Sequence, residues 1–175
     1  MSAPEPVVLR DALPADAPAM ADLNVRAWRA AFVGLVPDAL LAGQRAEPPA
    51  RYWQEHLPSV PPERTWVAER AGRVVGLTHL GPSRDADAPE AAELYGMYVE
   101  PEVVGTGAGR ALMAAAMEWF RSGPWKEAIL WTLPGDHRAT RFYRAWGWQP
   151  DGAAKTGHTP LGDLHEVRYR IVLRR

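Results

Sequence analysis

The spacing of apolar residues divides the chain into short strands and amphipathic helices. Pro6 to Arg10 (PVVLR) reads as a first short strand. Asp16 can cap a following helix, with Pro18 tolerated in its first turn. Met20, Leu23, Ala27 and Ala31 then recur at helical spacing, with Val25, Trp28 and Phe32 beside them. Gly34 and Pro37 break this helix, and GLVPDALLAG starts a second short one. Residues 45–53 fit either more helix or an irregular loop. Thr65 to Arg70 and Arg73 to Gly81 flank Ala71-Gly72, the pattern of a β-hairpin around a two-residue turn. PSRDADAPEA is a polar loop, and Ala92 to Pro101 is the fourth strand.

After a glycine-rich stretch, Ala108, Ala111, Leu112, Ala115, Ala116 and Trp119 form a clear helical stripe. Met113, Met117 and Phe120 widen it, so this helix is expected to be well buried. Ala128 to Leu133 is a compact apolar run that fits a buried parallel strand. Ala139, Phe142, Tyr143 and Trp146 make a further helical stripe that stops at Gly147. WGWQPDG holds a strand start, residues 152–165 read as a loop, and Glu166 to Leu173 alternates as the last strand. The order predicted is β-α-α-β-β-β-α-β-α-β-β. This is one mixed α/β domain over residues 1–175, with about six to seven strands and about four helices.

Composition narrows the partners. Net charge is −1 and apolar residues make up 47% of the 175. The chain is therefore expected to be globular, with no basic field for nucleic acid or membrane. No apolar run approaches the roughly 20 residues that span a bilayer. No signal pattern opens the chain, and there are no cysteines, which fits a cytoplasmic location. The five histidines are scattered without metal-ligand spacing, so no metal is expected.

The stretch VVGTGAGRAL carries Gly105, Gly107 and Gly109 between a strand and a helix. That layout presents unpaired backbone N–H groups and a favourable dipole to an anion. It also suits a tight turn with close packing. No lysine completes a GxxxxGK[ST] phosphate loop. The spacing is GxGxG rather than GxGxxG, which disfavours a Rossmann dehydrogenase.

In its setting, LYGMYVEPEVVGTGAGRALMAAAMEWF resembles the acetyl-CoA motif of GNAT N-acetyltransferases. That motif is an apolar strand ending in valine, a proline, then Q/R-x-x-G-x-G/A opening a helix. Val99, Pro101, Gly107 and Gly109 fit it. DHRATRFYRAWGWQPDG resembles the family's next motif through Phe142, Tyr143, Gly147 and Trp148. Two positions depart from it: Val104 stands at the Q/R position, and Asp136 where asparagine is frequent. The resemblance covers nearly the whole chain and implies a GNAT-like fold with a mixed, mostly antiparallel central sheet.

The resemblance implies an N-acetyltransferase that moves an acetyl group from acetyl-CoA to a primary amine. The amine attacks directly, through a tetrahedral intermediate. Met97, Tyr98 and Val99 would offer backbone groups to the pantetheine arm and thioester oxygen. Val104, Gly105, Thr106, Gly107, Ala108, Gly109, Arg110 and Asp136 would border the pyrophosphate. Tyr143 belongs to a core stripe by spacing alone; the family match makes it the acid for the departing thiolate. Glu93 is a candidate base, since alternation puts it on one face with Tyr95 and Met97. Its other readings are a substrate anchor or a strand-end carboxylate. Trp28 and Phe32 can wall an acceptor pocket or fill core, and His79 can face that pocket or be structural. Trp119, Trp131 and Trp146 fall on core stripes. His158 and Asp163 are further candidate contacts in the loop at residues 152–165. The acceptor is a small-molecule amine in the first reading and a peptide N-terminus or lysine in the second. A non-catalytic acyl-CoA-binding module is a third, and the family resemblance allows a homodimer.

Overall fold

Seven strands hydrogen-bond into one sheet in a computed structural model that describes residues 5–43, 45–159 and 162–174. The strands are β1 (Val8–Asp11), β2 (Arg64–Arg70), β3 (Arg73–Pro82), β4 (Ala92–Val99), β5 (Glu127–Thr132), β6 (Gln149–Thr159) and β7 (Gly162–Val172). They lie in the order β1-β2-β3-β4-β5-β7-β6. Every neighbouring pair is antiparallel except β4 and β5. The helices are α1 (Ala17–Phe32), α2 (Asp38–Ala42), α3 (Ala50–His56), α4 (Ala108–Ser122) and α5 (His137–Ala145). The short α3 occupies part of the stretch that the sequence pattern left open.

α1 and α3 cover one face of the sheet and α4 and α5 the other, each through its apolar side chains. On one face, Met113, Met117 and Phe120 of α4 pack on Leu94, Leu130 and Tyr169, and Phe142 and Tyr143 of α5 lie against them. On the other, Met20 and Leu23 of α1 and Trp53 of α3 pack on Val67 and Leu77. Each such fully buried side chain stabilises the fold by roughly 1.5–3 kcal/mol.

Residues 152–159 and 162–165, expected as loop, are strand. β6 and β7 pair through Thr159 and Gly162 into a long hairpin. The β6 segment GAAKTGHT has too few apolar residues to alternate. Its pairing with β7, not its own pattern, makes it a strand.

Two irregularities around β4 set the geometry of the sheet's centre. First, β4 pairs with β5 only over Ala92, Leu94 and the residue between them, after which the strands part. Second, the β3–β4 register shifts so that His79 pairs with Gly96 but Leu80 with Leu94. Tyr95 is the extra residue of this bulge, and a bulge resets which face later side chains take. Leu94 and Met97 accordingly both pack on the α4 face. Glu93 and Tyr95 face the opposite way, where Arg84 contacts both. The alternation that places Glu93, Tyr95 and Met97 together therefore fails at Met97.

A buried arginine ties the far side of the sheet to the β3–β4 connection. Arg168 of β7 is 4% exposed and pairs with Asp85, Asp87 and Asp151 at 3.0, 2.7 and 2.8 Å.

Candidate functional site

The parting of β4 from β5 opens a cavity of about 840 Å³ that reaches both faces of the sheet. On the α4 side it is lined by the glycine-rich turn, Arg138, Phe142 and Tyr143. On the α1 side it is lined by Trp28, Phe32, Glu47, Trp131, Lys155 and Glu166. The gap itself is edged by β4 backbone. The Glu100 N–H donates to the Val75 carbonyl at 2.9 Å, which fixes the phase of the β3–β4 ladder. Alternation along an antiparallel ladder then turns the Tyr98 backbone toward β3. It turns the N–H and C=O groups of Met97 and Val99 away from β3, into the gap. The expectation that Tyr98 offers backbone groups is thus corrected: its backbone belongs to the ladder, and its side chain lines the cavity.

The glycine turn has the shape of an anion cradle. Gly105 and Gly107 have φ of +83° and +103°, conformations that L side chains rarely adopt. Space is not what demands glycine there, since a Cβ at either would meet nothing within 4 Å. Gly107 caps α4 without a side-chain hydrogen bond. The first bond into the helix runs from the Ala111 N–H to the Gly107 carbonyl at 3.0 Å. The N–H groups of Ala108, Gly109 and Arg110 precede it and point out of the helix end. Thr106 is held from outside by Arg70, whose guanidinium donates to its Oγ1 at 2.9 Å and its carbonyl at 3.1 Å. Val104 is 39% exposed and borders the cavity. Asp136 lies near the same end, where its Oδ1 accepts the Ala139 N–H at 3.0 Å and caps α5. Arg138, in the first turn of α5, is a cation at this end that the sequence pattern did not single out.

Two tyrosines line the cavity from opposite faces of the sheet. Tyr143 comes from α5, and burial raises its pKa above the ordinary tyrosine value, with Tyr98 and Asp136 adding to the rise. Tyr98 packs with the α1-side core, and burial likewise raises its pKa. Both phenols carry their protons at neutral pH. The side chain of Asn24 in α1 opposes the rise at Tyr98.

The α1 side is walled by aromatic rings and charges. Trp28 and Phe32 meet edge to face with centroids 4.1 Å apart. Trp131 also lines the cavity, so it is more than core. Its Nε1 donates to Asp85 at 3.0 Å, and Lys155 Nζ sits 4.0 Å from its ring centroid. Nothing in the apolar run AILWTL distinguishes that position from a core one.

Glu93 is 2% exposed, and Arg84 grips both of its carboxylate oxygens. His79 does not reach the cavity. Its Nδ1 lies 2.8 Å from Thr65 Oγ1, and its ring contacts Trp53 and Tyr95 between β3 and α3. The bulge aims Tyr95 at it and shuts it off from the gap. Burial lowers its pKa to about 4. Asp163 is not among the cavity residues, and the His158 side chain lies outside the described ones. Among the described residues no group of acidic or histidine side chains is arranged to hold a metal, and no helix is long and apolar enough to cross a membrane.

Comparison with known proteins agrees with this geometry. The profile of the Acetyltransferase (GNAT) family matches residues 20–148. A probable N-acetyltransferase of Mycobacterium tuberculosis is 27% identical over 173 residues, covering 96% of this chain and 95% of that protein. An aminoglycoside N(6')-acetyltransferase type 1 of Stenotrophomonas maltophilia is 28% identical over 145 residues, covering 81% and 85%. The crystal structure of the PaiA N-acetyltransferase of Thermoplasma acidophilum, in complex with coenzyme A, superposes with a TM-score of 0.71. It shares 14% identity and covers 95% of this chain and 99% of that one, so the likeness is one of fold.

Proposed function

The chain belongs to the GNAT acetyltransferase family, and on that premise we propose that it acetylates the primary amine of a small molecule. It is an acyltransferase, and its donor is acetyl-CoA. The observation that carries the reading is the single cavity running through the β4–β5 gap, from the glycine cradle to the Trp28–Phe32 wall. Two substrates that enter from opposite faces can meet there, and alignment of that kind supplies much of the rate in bimolecular transfer. Residues 1–175 act as one N-acetyltransferase domain in this reading, which the single continuous sheet supports.

The residues present fit the donor. Gly105 and Gly107 leave open space where side chains would stand, and the outward N–H groups of Ala108, Gly109 and Arg110 suit a pyrophosphate. Arg110 and Arg138 add positive charge, in place of the polar side chain that Val104 lacks. Asp136 orders α5 through its cap rather than meeting the phosphates. The backbone of Met97 and Val99 suits an extended pantetheine arm, and an N–H facing the gap serves as the oxyanion donor.

Acetyl-CoA supplies an activated thioester. The amine nitrogen, having first given its ammonium proton to water, attacks its carbonyl carbon. The C–S bond breaks as Tyr143 donates its hydroxyl proton to the leaving thiolate, and the proton lost from the acylated nitrogen passes through water back to the Tyr143 phenolate. The raised pKa of Tyr143 keeps that proton available at neutral pH. Glu93 serves as the partner of Arg84 rather than as the base, because both of its oxygens already accept from that guanidinium. Trp28 and Phe32 form the acceptor wall. The relative that acts on an aminoglycoside supports a small-molecule acceptor.

The reading is tested by thiol release from acetyl-CoA across a panel of small amines and short peptides. Release driven by small amines above the amine-free background is expected. Release driven by peptides alone would move the acceptor assignment, and background release throughout would leave a binding module.

A further inference from the structure

Four carboxylates line the cavity: Glu47, Glu93, Asp136 and Glu166. Three are engaged. Glu93 is gripped by Arg84, with the closest approach 2.6 Å. Asp136 caps α5. Glu166 Oε2 lies 3.8 Å from Lys155 Nζ, which also rests on the Trp131 ring. The Glu47 carboxylate has no ion-pair or hydrogen-bond partner among the described residues. It is the cavity's uncompensated negative charge on the α1 side.

The segment that carries Glu47 is nonetheless built into the site. Asn24 is 3% exposed within α1, and its Oδ1 accepts the Glu47 N–H at 3.1 Å. The same side chain acts on the Tyr98 phenol, whose pKa it lowers. One buried amide therefore fixes the backbone at Glu47. Arg29, one turn along α1, donates to the carbonyls of Leu41 and Ala42, each at 3.1 Å, and ties down the preceding end of α2. An exposed carboxylate on a pinned backbone, lining the same cavity as an edge-to-face aromatic pair, has the chemistry of a site for an organic cation.

We propose that Glu47 is the acceptor-binding carboxylate: it captures the ammonium of an alkylamine whose apolar body rests against Trp28 and Phe32, and the nitrogen gives its proton to water before it attacks. The proposal rests on the acetyl-transfer reading and narrows its acceptor to cationic amines with an apolar or aromatic flank. A neutral arylamine gains nothing from Glu47. Lys155 and Arg84 are both paired already, so neither offsets this charge.

The test compares 2-phenylethylamine, a cation at neutral pH, with aniline, which is uncharged there. Thiol release and calorimetric binding to the CoA-saturated protein are measured for the unsubstituted chain, Glu47→Gln and Glu47→Asp. In Glu47→Gln the KM and Kd for 2-phenylethylamine are expected to rise roughly tenfold to a hundredfold, the range of a lost charge-assisted hydrogen bond. Glu47→Asp should recover part of the loss. The constants for acetyl-CoA and for aniline should stay within about twofold. Unchanged 2-phenylethylamine constants in Glu47→Gln overturn the role of Glu47. A parent protein that acetylates other amines but neither binds nor acetylates 2-phenylethylamine overturns the acceptor class and leaves acetyl transfer standing. Failure of every amine to drive thiol release overturns the transfer reading itself.

Discussion

Arg84 closes on the Glu93 carboxylate from two directions: its Nη2 lies 2.6 Å from Oε1, and its backbone N–H 2.8 Å from Oε2. The guanidinium carbon also stands 4.1 Å from the Tyr95 ring centroid. Glu93 therefore holds the β3–β4 connection against the bulge at the cavity's edge. Glu93→Gln leaves a guanidinium without its counter-ion. It should destabilise the protein by about 1–3 kcal/mol, measured by denaturant unfolding. The pH–rate profile of amine acetylation should keep its shape. Loss of its acidic limb in Glu93→Gln would restore the carboxylate as the base.

The glycine cradle makes a prediction of opposite signs at two positions. Gly107→Ala forces a side chain onto φ +103°, a strain of about 1–2 kcal/mol. It should weaken acetyl-CoA binding by turning the first N–H groups of α4. Val104→Arg adds a cation at the cradle's rim and should tighten it. Calorimetric titration with acetyl-CoA checks both. Equal affinity in all three proteins would mean that the pyrophosphate does not sit there.

Tyr143→Phe removes the proton donor but keeps the ring on the α4-side core. Turnover should fall by about a hundredfold or more, while the affinity for acetyl-CoA stays the same. Turnover should recover in part with donors whose thiol is a better leaving group, because these need less proton transfer. Undiminished kcat with acetyl-CoA would show that another group, such as Tyr98, supplies the proton.

His79 links stability to acidity. Its folded pKa of about 4 lies below the ordinary histidine value of 6.5, so between these values the unfolded chain binds a proton that the folded one does not. Stability from this group is complete above pH 6.5 and is lost as pH falls toward 4, by on the order of 3 kcal/mol. Melting followed by circular dichroism from pH 7 to pH 4 should show a decline that is shallower in His79→Gln. Equal slopes would mean that His79 protonates freely in the fold.

The cradle and its flanking elements were legible because their chemistry is local. Gly105 and Gly107 mark a tight turn ahead of a helix, and the α4 stripe is strongly periodic; the cap that Asp136 makes on α5 was not read from the sequence. Trp28 and Phe32 share one face of α1 and both line the cavity, since a helix fixes which side chains point together. What was not legible depends on pairing. No residue pattern marks the bulge at Tyr95, which sends Met97 to the other face and buries His79 beside Trp53. The β6 segment becomes a strand only because β7 lies beside it, and that hairpin delivers Lys155 and Glu166 to the cavity. Trp131 reads as core because its strand is apolar, yet the parting of β4 from β5 exposes it. The Arg84–Glu93 pair joins a loop to a strand nine positions away in sequence and carries no periodic signal.

The most direct test of the central claim is a single-turnover reaction of enzyme in slight excess over isotopically labelled acetyl-CoA, with and without an acetylatable amine found in the thiol-release panel. Thiol, labelled amide and the intact mass of the chain are followed together. Direct transfer through the gap predicts one amide formed for each thiol released, only when amine is present, and no labelled chain at any time. Stoichiometric label on the protein before amide appears, or thiol released without amide, would contradict it.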